Sequence, residues 1–222
     1  MMLDALRQGM KTLQPVNYWS EATFRGEAAV LLAFTDEPET QLILTRRADH
    51  LKSHRGEVAL PGGKIDKTDR DFIATALRES HEEIALPPTA VEVLGELDPM
   101  VTRFGVKVVP VVGVIAPDVV LTPSPDELDS IFRVPLSFFL RDERTRTDRG
   151  TVDGHAVAVP CWQWQQYEIW GVTAIILVNF MNRVLGQNIH TGVESLAQKT
   201  NGMIMPEEWL TDEDKQARDS KT

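Results

Sequence analysis

Residues 61–86 read PGGKIDKTDRDFIATALRESHEEIAL, and the placing of acids in this run decides how the rest of the chain is read. Its centre is Arg78-Glu79-Ser80-His81-Glu82-Glu83, three carboxylates at relative positions i, i+3 and i+4 downstream of Pro61-Gly62-Gly63. On a helix that spacing gathers the acids on one side. At about 100° per residue from Ile73, Ala76, Leu77, Ser80 and Ile84 fall within about 60° of the origin, whereas Glu79, Glu82 and Glu83 lie at roughly 180 to 280°. The segment therefore predicts a helix that buries one face and turns a triple-acid face away from it. Glu79 and Glu83 repel each other by roughly a few tenths of a kcal/mol, a local cost that a bound cation offsets. All-oxygen donors of this kind suit hard divalent cations, Mg²⁺ or Mn²⁺.

A Glu-rich helix face is ordinarily a solvated surface. What distinguishes this one is its lead-in. Gly62 and Gly63 can adopt unusual φ/ψ and let a ligand approach the backbone, and Pro61 stiffens the way into them. A polar stretch from Lys64 to Asp71 then enters the helix, with Asp69 or Thr68 expected as N-cap. Loop carbonyls, carboxylates and the start of the helix can thus converge on one metal-phosphate site. Glu79 and Glu83, one turn apart on the same face, are the expected metal ligands, with Glu82 as a third ligand or a contact through water. Arg78 can reach Glu82 at i+4 and hold it.

These residues resemble the Nudix box, G-x5-E-x7-R-E-U-x-E-E-x-G-U with U a bulky aliphatic. Arg78, Glu79, Glu82, Glu83 and Leu86 match it directly. Arg70 stands where the earlier Glu belongs, Ser80 replaces the aliphatic, Ala85 replaces the Gly, and the Gly-Gly pair lies one or two residues farther upstream. The longer loop, of the form GGKxDxxDxxxxxxALRE, resembles the coenzyme A pyrophosphatase branch. The preceding LTRRADHLKSHRGEVALPGG resembles that branch's L-L-T-x2-[SA]-x3-R-x3-G-x3-F-P-G-G in register at Leu44, Thr45, Ala48, Gly56, Pro61, Gly62 and Gly63. Ile43, Lys52 and Leu60 depart from it; Lys for Arg at 52 keeps the charge but loses bidentate phosphate binding. Farther on, Glu127-x4-Phe132-x-Val134-Pro135-Leu136 and Ile169-Trp170-Gly171-Val172-Thr173-Ala174 are similar to two more branch segments.

The resemblance, over roughly residues 27–185, implies a Nudix α/β/α sandwich with a mixed β-sheet. It implies metal-assisted hydrolysis of a diphosphate linked to another moiety, with coenzyme A or acyl-CoA cleaved to 3',5'-ADP and (acyl-)4'-phosphopantetheine. Turnover of ADP-ribose, NADH or a nucleoside triphosphate, or a Nudix-fold nucleotide-binding regulator without turnover, are the alternatives. By the same analogy the Gly62 carbonyl is a further metal ligand, and the general base is open between Glu79 and Glu127. Substrate contacts are expected from Arg46, Arg47, Lys52, His54, Gly62, Gly63 and Lys64. For His54 a structural hydrogen bond is an equal alternative, and Trp170 is read as helix packing rather than a base-stacking platform.

The 222 residues are 42% hydrophobic and 25% charged, enough for a sizeable core. A net charge of -10 argues against a non-specific nucleic-acid binder. It does not exclude a polyphosphate substrate, because Arg46, Arg47, Lys52, Arg55 and Lys64 cluster where the box begins. The lone Cys161 fits a reducing compartment, and Pro160 and Trp162 beside it suggest a buried, inert thiol. No charged-then-apolar signal segment opens the chain, and no 18-residue apolar run occurs, so a cytoplasmic protein without membrane contact is expected. A homodimer is left open.

Leu3, Leu6, Met10 and Leu13 predict an N-terminal helix ended by Pro15. Strands are expected at 28–34 and 41–45 around an Asp36–Glu39 turn, then at 57–60, 91–97, 106–115, 131–134 and up to Val159. Met100 to Gly105 and the charged Arg141 to Arg149 read as loops, Asp126 to Ser130 as a helical turn, Gly150 to Gly154 as a turn, and Tyr167 to Gly186 as a second long helix. Trp162 and Trp164, at strand period, are expected on one sheet face, packed in the core or forming an aromatic site. The domain plan is a lead-in over 1–26, a catalytic domain over 27–190, and an extension over 191–222 disordered at its end.

Overall fold

The computed structural model describes residues 2–16, 24–102, 104–152 and 155–191; the expected disordered tail lies outside them. In chain order the elements are α1 (Met2–Thr12), β1 (Gly26–Thr35), β2 (Gln41–Arg47), β3 (Val58–Ala59), β4 (Gly62–Lys64), α2 (Phe72–Ile84), β5 (Glu92–Glu96), β6 (Met100–Val101), β7 (Val106–Ile115), β8 (Leu128–Pro135), α3 (Leu136–Leu140), β9 (Arg146–Val152), β10 (His155–Trp164), β11 (Tyr167–Ile169) and α4 (Gly171–Leu185).

The main sheet is mixed. Its central path runs β3-β2-β1-β7-β5, with β4 on β1, β6 on β7 and β8 on β2. β1 and β7 are parallel from Gly26↔Val106 to Thr35↔Ile115. Their neighbours are antiparallel, β1 meeting β2 at Phe34↔Leu42 across the expected turn. β7 is buried from Val108 to Ile115, as a continuously apolar strand with both faces covered should be. Strand alternation divides the core. Ala29, Leu31, Ala33 and Ile43 pack under Ala76 and Ile84 of α2. Leu32, Phe34, Leu42 and Leu44 face a larger cluster formed with α1, α4 and the small sheet β11-β10-β9. The result is an α/β/α sandwich. In that second layer Trp162 is fully buried edge-on against Phe139 at 5.4 Å, and Trp164 lies 4.9 Å from Phe138, so both indoles serve packing.

α2 is closed at both ends. Its N-cap is Asp71, whose side chain accepts from the Ala74 N–H at 2.7 Å, rather than Asp69 or Thr68. The start shifts because Asp69 is used elsewhere. At the other end Ala85 sits in the left-handed region at φ 54°, and the Leu86 N–H returns to the Ser80 carbonyl at 3.4 Å, the six-to-one closure usually given to glycine. Ser80, standing for an aliphatic, is buried, with its hydroxyl satisfied by the Ala76 carbonyl at 2.7 Å.

Four local expectations are corrected. Tyr167–Ile169 is a strand paired with β10, so the second long helix begins at Gly171. The charged segment after Arg141 contains β9, held to β10 from Arg146↔Cys161 to Val152↔His155, so no turn begins at Gly150. Met100–Val101 pairs with β7 instead of looping free. Residues 128–130 already belong to β8. β11 and β9 are held to β10, and β6 to β7, by short hairpins, while β8 pairs with the sequence-distant β2; in each case pairing overrides local propensity. Among the described residues no helix is long and apolar enough to cross a membrane.

Candidate active site

β4 lies antiparallel on β1, with Val30↔Gly62 and Ala29↔Gly63. Gly62 has φ 148°, and a Cβ there would stand 2.3 Å from the Ala29 carbonyl oxygen, so only glycine lets the strand approach this closely. In this position the Gly62 N–H donates to Glu83 Oε2 at 2.9 Å. A Cβ on Gly63 would lie 2.4 Å from Glu79 Oε2. The two glycines therefore form the floor on which Glu79 and Glu83 rest.

Glu83 does not face solvent as the helical wheel suggests; it is 4% exposed. Burial pushes its carboxyl up to about 7, opposed by the Gly62 N–H, reinforced by Glu127, opposed by Arg47 and reinforced by Glu79. The nearest guanidinium, Arg47 Nη1, is 3.9 Å from Glu83 Oε1, and the buried Arg47 Nε has no hydrogen-bond partner. Burial also raises Glu79, against the hydrogen bond and charge of Arg78, with Glu82 and Glu127 adding to the rise. Three carboxylates thus crowd one end of α2.

Glu127 is drawn there by the loop before β8. The Thr122 N–H donates to the Ile84 carbonyl at 3.0 Å and the Ser124 N–H to the Glu83 carbonyl at 2.8 Å, satisfying the last carbonyls of α2. The Ala48 N–H in turn donates to the Glu127 carbonyl at 2.9 Å. Glu127 itself is exposed at the rim.

Arg78 uses its whole guanidinium. Nε and Nη2 bind Asp69 at 3.0 and 2.9 Å, Nη1 binds Glu79 at 3.0 Å and Glu82 at 3.1 Å, and Nη2 also donates to the Lys64 carbonyl at 3.0 Å. Asp69 is the residue that sequence reasoning assigned only a capping role. It takes the Asp66 N–H at 2.8 Å and the Thr75 hydroxyl at 3.0 Å, and the Arg78 guanidinium holds its carboxyl well below the usual carboxylate range. Arg70 occupies the earlier box position between two acids, Asp69 and Asp71, and the geometry separates them: Asp71 caps α2 and Asp69 binds Arg78. Arg70 points to solvent, paired with Asp71 at 3.3 Å.

The structure gathers Glu79, Glu83, Gly62, Gly63, Arg47, Arg78 and Glu127. Glu82 joins through Arg78 and is otherwise exposed. Arg46 lies apart from this group, on the opposite sheet face, bound to Asp49 at 2.6 Å and to Asp129. Lys52 is exposed on the loop between β2 and β3. His54, at φ 55°, bonds Glu57 Oε2 through Nδ1 at 2.9 Å. Lys64 contributes its carbonyl to Arg78 while its side chain is exposed.

The site suits a hard divalent cation by donor chemistry. It offers carboxylate and carbonyl oxygens, and Glu83 is a buried acid whose nearest guanidinium nitrogen stands 3.9 Å away. Among the described residues no three acidic or histidine side chains already stand at coordination distance of one point, so an ion would draw Glu79 and Glu83 inward.

The NUDIX domain pattern matches residues 25–153. An uncharacterized Nudix hydrolase NudL of Shigella sonnei (strain Ss046) is 42% identical over 182 residues, spanning 80% of this chain and 92% of that protein. The protein of the same name from Enterobacter sp. (strain 638) is 43% identical over 153 residues, 69% of this chain and 80% of that one. Among solved structures, a MutT/nudix family protein from Enterococcus faecalis superimposes with a TM-score of 0.49 at 15% identity, over 90% of this chain and 75% of that one.

Proposed function

The chain belongs to the Nudix hydrolase family, and from that premise we propose that it is a metal-dependent pyrophosphatase acting on coenzyme A or acyl-CoA, releasing 3',5'-ADP and (acyl-)4'-phosphopantetheine. The observation that carries this reading is that the stretch resembling the coenzyme A branch walls the acid pocket. It supplies Arg47 opposite Glu83 at 3.9 Å, Gly62 beneath it, and Pro61, whose carbonyl accepts from the Leu31 N–H at 2.8 Å and fixes β4 on β1.

In this proposal Glu79 and Glu83 hold the divalent cation, with the Gly62 carbonyl and Glu82 as further oxygen donors. When bound, Mg²⁺ or Mn²⁺ supplies charge neutralisation on the diphosphate and a more acidic water. Arg78, anchored by Asp69, positions Glu79 and Glu82. Arg47, its guanidinium partly exposed beside Glu83, meets a phosphate oxygen and offsets the negative charge that accumulates during in-line attack. Water attacks one phosphorus, the bridging P–O bond breaks, and the leaving phosphate departs as a monoester. Glu127, exposed at the rim, is positioned to take the proton of the attacking water, with Glu79 as the other candidate. A cytoplasmic setting belongs to the same proposal, supported by the lone, buried Cys161.

Incubation with CoA, ADP-ribose, NADH and dGTP separately, each with Mg²⁺ or Mn²⁺, followed by mass spectrometry of products, tests it. Release of 3',5'-ADP from CoA, lost in Glu79→Gln, is the expected result. Turnover of a different compound overturns the substrate while leaving the chemistry, and no turnover of any puts the nucleotide-binding regulator in its place.

A further inference from the structure

Glu127 reaches the acid pocket from a loop, and a loop residue aims its side chain only as well as the two peptides flanking its Cα are held. Here both peptides are pinned. The Glu127 N–H donates to the Ser124 carbonyl at 3.1 Å and the Leu128 N–H to the same oxygen at 2.8 Å, while the Glu127 carbonyl accepts from the Ala48 N–H at 2.9 Å. These three bonds join backbone to backbone. The fourth polar group, the Asp126 carbonyl, is held instead by a side chain, with His50 Nε2 at 3.1 Å from its oxygen. A carbonyl oxygen only accepts, so Nε2 carries the hydrogen and the imidazole donates.

The place of His50 follows from β2. After Arg47, which faces Glu83 at 3.9 Å, the chain leaves the strand in a turn closed by the Leu51 N–H on the Ala48 carbonyl at 3.2 Å. That turn presents two donors to the Glu127 segment, the Ala48 N–H and the His50 ring. On its other side the segment is tied to the end of α2 through the Thr122 and Ser124 N–H groups, with Pro123 and Pro125 stiffening the chain between. Glu127 is thus suspended between the strand that carries Arg47 and the helix that carries Glu79 and Glu83. Burial raises both of those carboxyls, and Glu127 is near enough for its charge to add to the rise.

We infer that His50 is a positioning residue for the hydrolytic step: by holding the Asp126 carbonyl it fixes the peptide plane before Glu127 and aims that carboxylate at the attacking water. This rests on the reading that the chain hydrolyses a diphosphate and that Glu127 takes the proton of the water. His50 acts through Glu127 and takes no proton itself. Its ring is exposed, so the bond competes with water and sets the loop by about what one net hydrogen bond contributes, roughly 5-fold. An anchor for Glu127 matters only while the Glu127 carboxylate is there, whereas a contact that merely supports the fold matters equally without it.

A double-mutant cycle on the full chain tests this, with His50→Ala, His50→Gln, Glu127→Gln and His50→Ala/Glu127→Gln each checked for folding by thermal melt. Hydrolysis is measured with Mg²⁺ on CoA, or on whichever of ADP-ribose, NADH and dGTP the wild type cleaves. His50→Ala should lose about 5-fold in kcat with KM within about 2-fold, and His50→Gln, whose amide keeps a donor, should recover most of the loss. In the Glu127→Gln background His50→Ala should cost less than about 2-fold. An equal loss in both backgrounds, or none in His50→Ala, overturns the inference. Hydrogen exchange over residues 122–130 in EDTA, read by mass spectrometry, gives a measure without turnover: His50→Ala should exchange faster there and His50→Gln should not. Equal rates in all three proteins overturn the inference. A fully active Glu127→Gln overturns it as well, by removing the base that His50 serves, while CoA hydrolysis stands. Cleavage of another compound with the cycle as expected sinks the CoA reading and supports His50, and no turnover of any compound overturns both.

Discussion

Replacing Glu83 by glutamine keeps the side-chain shape and the acceptor for the Gly62 N–H while removing a charge the fold buries at a cost. In the folded chain burial lifts this carboxyl from its ordinary value of 4.5 to about 7. A group that holds its proton more tightly folded than unfolded contributes stability that is complete below pH 4.5 and is lost as pH rises through 7. At about 1.4 kcal/mol per pH unit, the ionised Glu83 costs the metal-free protein about 3 kcal/mol above pH 8. Urea unfolding in EDTA at pH 5 and pH 8 measures it. Wild type should lose stability between the two, Glu83→Gln should lose about 3 kcal/mol less, and the variant should be the more stable protein at pH 8 while inactive with metal. Equal pH dependence in the two proteins, or a variant less stable at pH 8, would refute the claim that Glu83 is a strained acid awaiting a cation.

Asp69→Asn preserves size but breaks the charge that anchors Arg78, so kcat should fall about 10- to 100-fold; unchanged kcat would reduce the Asp69–Arg78 pair to scaffolding. Gly63→Ala places a Cβ 2.4 Å from Glu79 Oε2 and should abolish metal-dependent turnover while shifting the thermal midpoint far less than Gly62→Ala, whose Cβ meets the β1 backbone; equal activity to wild type would contradict the packing of Glu79 on Gly63. Ala85→Gly relieves a left-handed residue at φ 54° and should stabilise the protein by about 0.5–1 kcal/mol in a denaturant titration, with no gain meaning that the C-cap is already relaxed. Burial pushes the Cys161 thiol up to about 11, so native protein at pH 8 should resist alkylation that unfolded protein accepts at once, and rapid native labelling would speak against its burial.

The α2 helix and its apolar face were legible because period 3.6 is a local signal, and Ala76, Ser80 and Ile84 are buried as that period requires. Glu83 was not, because its burial depends on the loop through Ser124 and on Gly62, partners far away in sequence. Asp69 was misread as a cap because a one-residue slip in the box moved the anchoring acid, and only the bidentate geometry to Arg78 reveals it. Tyr167–Ile169 is too short to show a strand period, and its apolar character runs into α4; the break comes at Gly171, φ 62°. β9 looked like a loop since alternating charge usually marks solvent, yet Arg146 pairs with Asp148 at 2.9 Å and with Glu168 of β11, a lateral charge ladder across the small sheet. Arg46 and Arg47 are adjacent in the basic cluster, and strand alternation sends them to opposite faces.

The claim that Glu79 and Glu83 form the divalent-cation pocket of a diphosphate hydrolase is tested most directly by electron paramagnetic resonance of free Mn²⁺ on samples then assayed for CoA hydrolysis. Wild type should deplete the free Mn²⁺ signal saturably and hydrolyse CoA, and the folded Glu79→Gln/Glu83→Gln protein should do neither. Mn²⁺ uptake and hydrolysis persisting in that variant, or hydrolysis by wild type in excess EDTA, would contradict it.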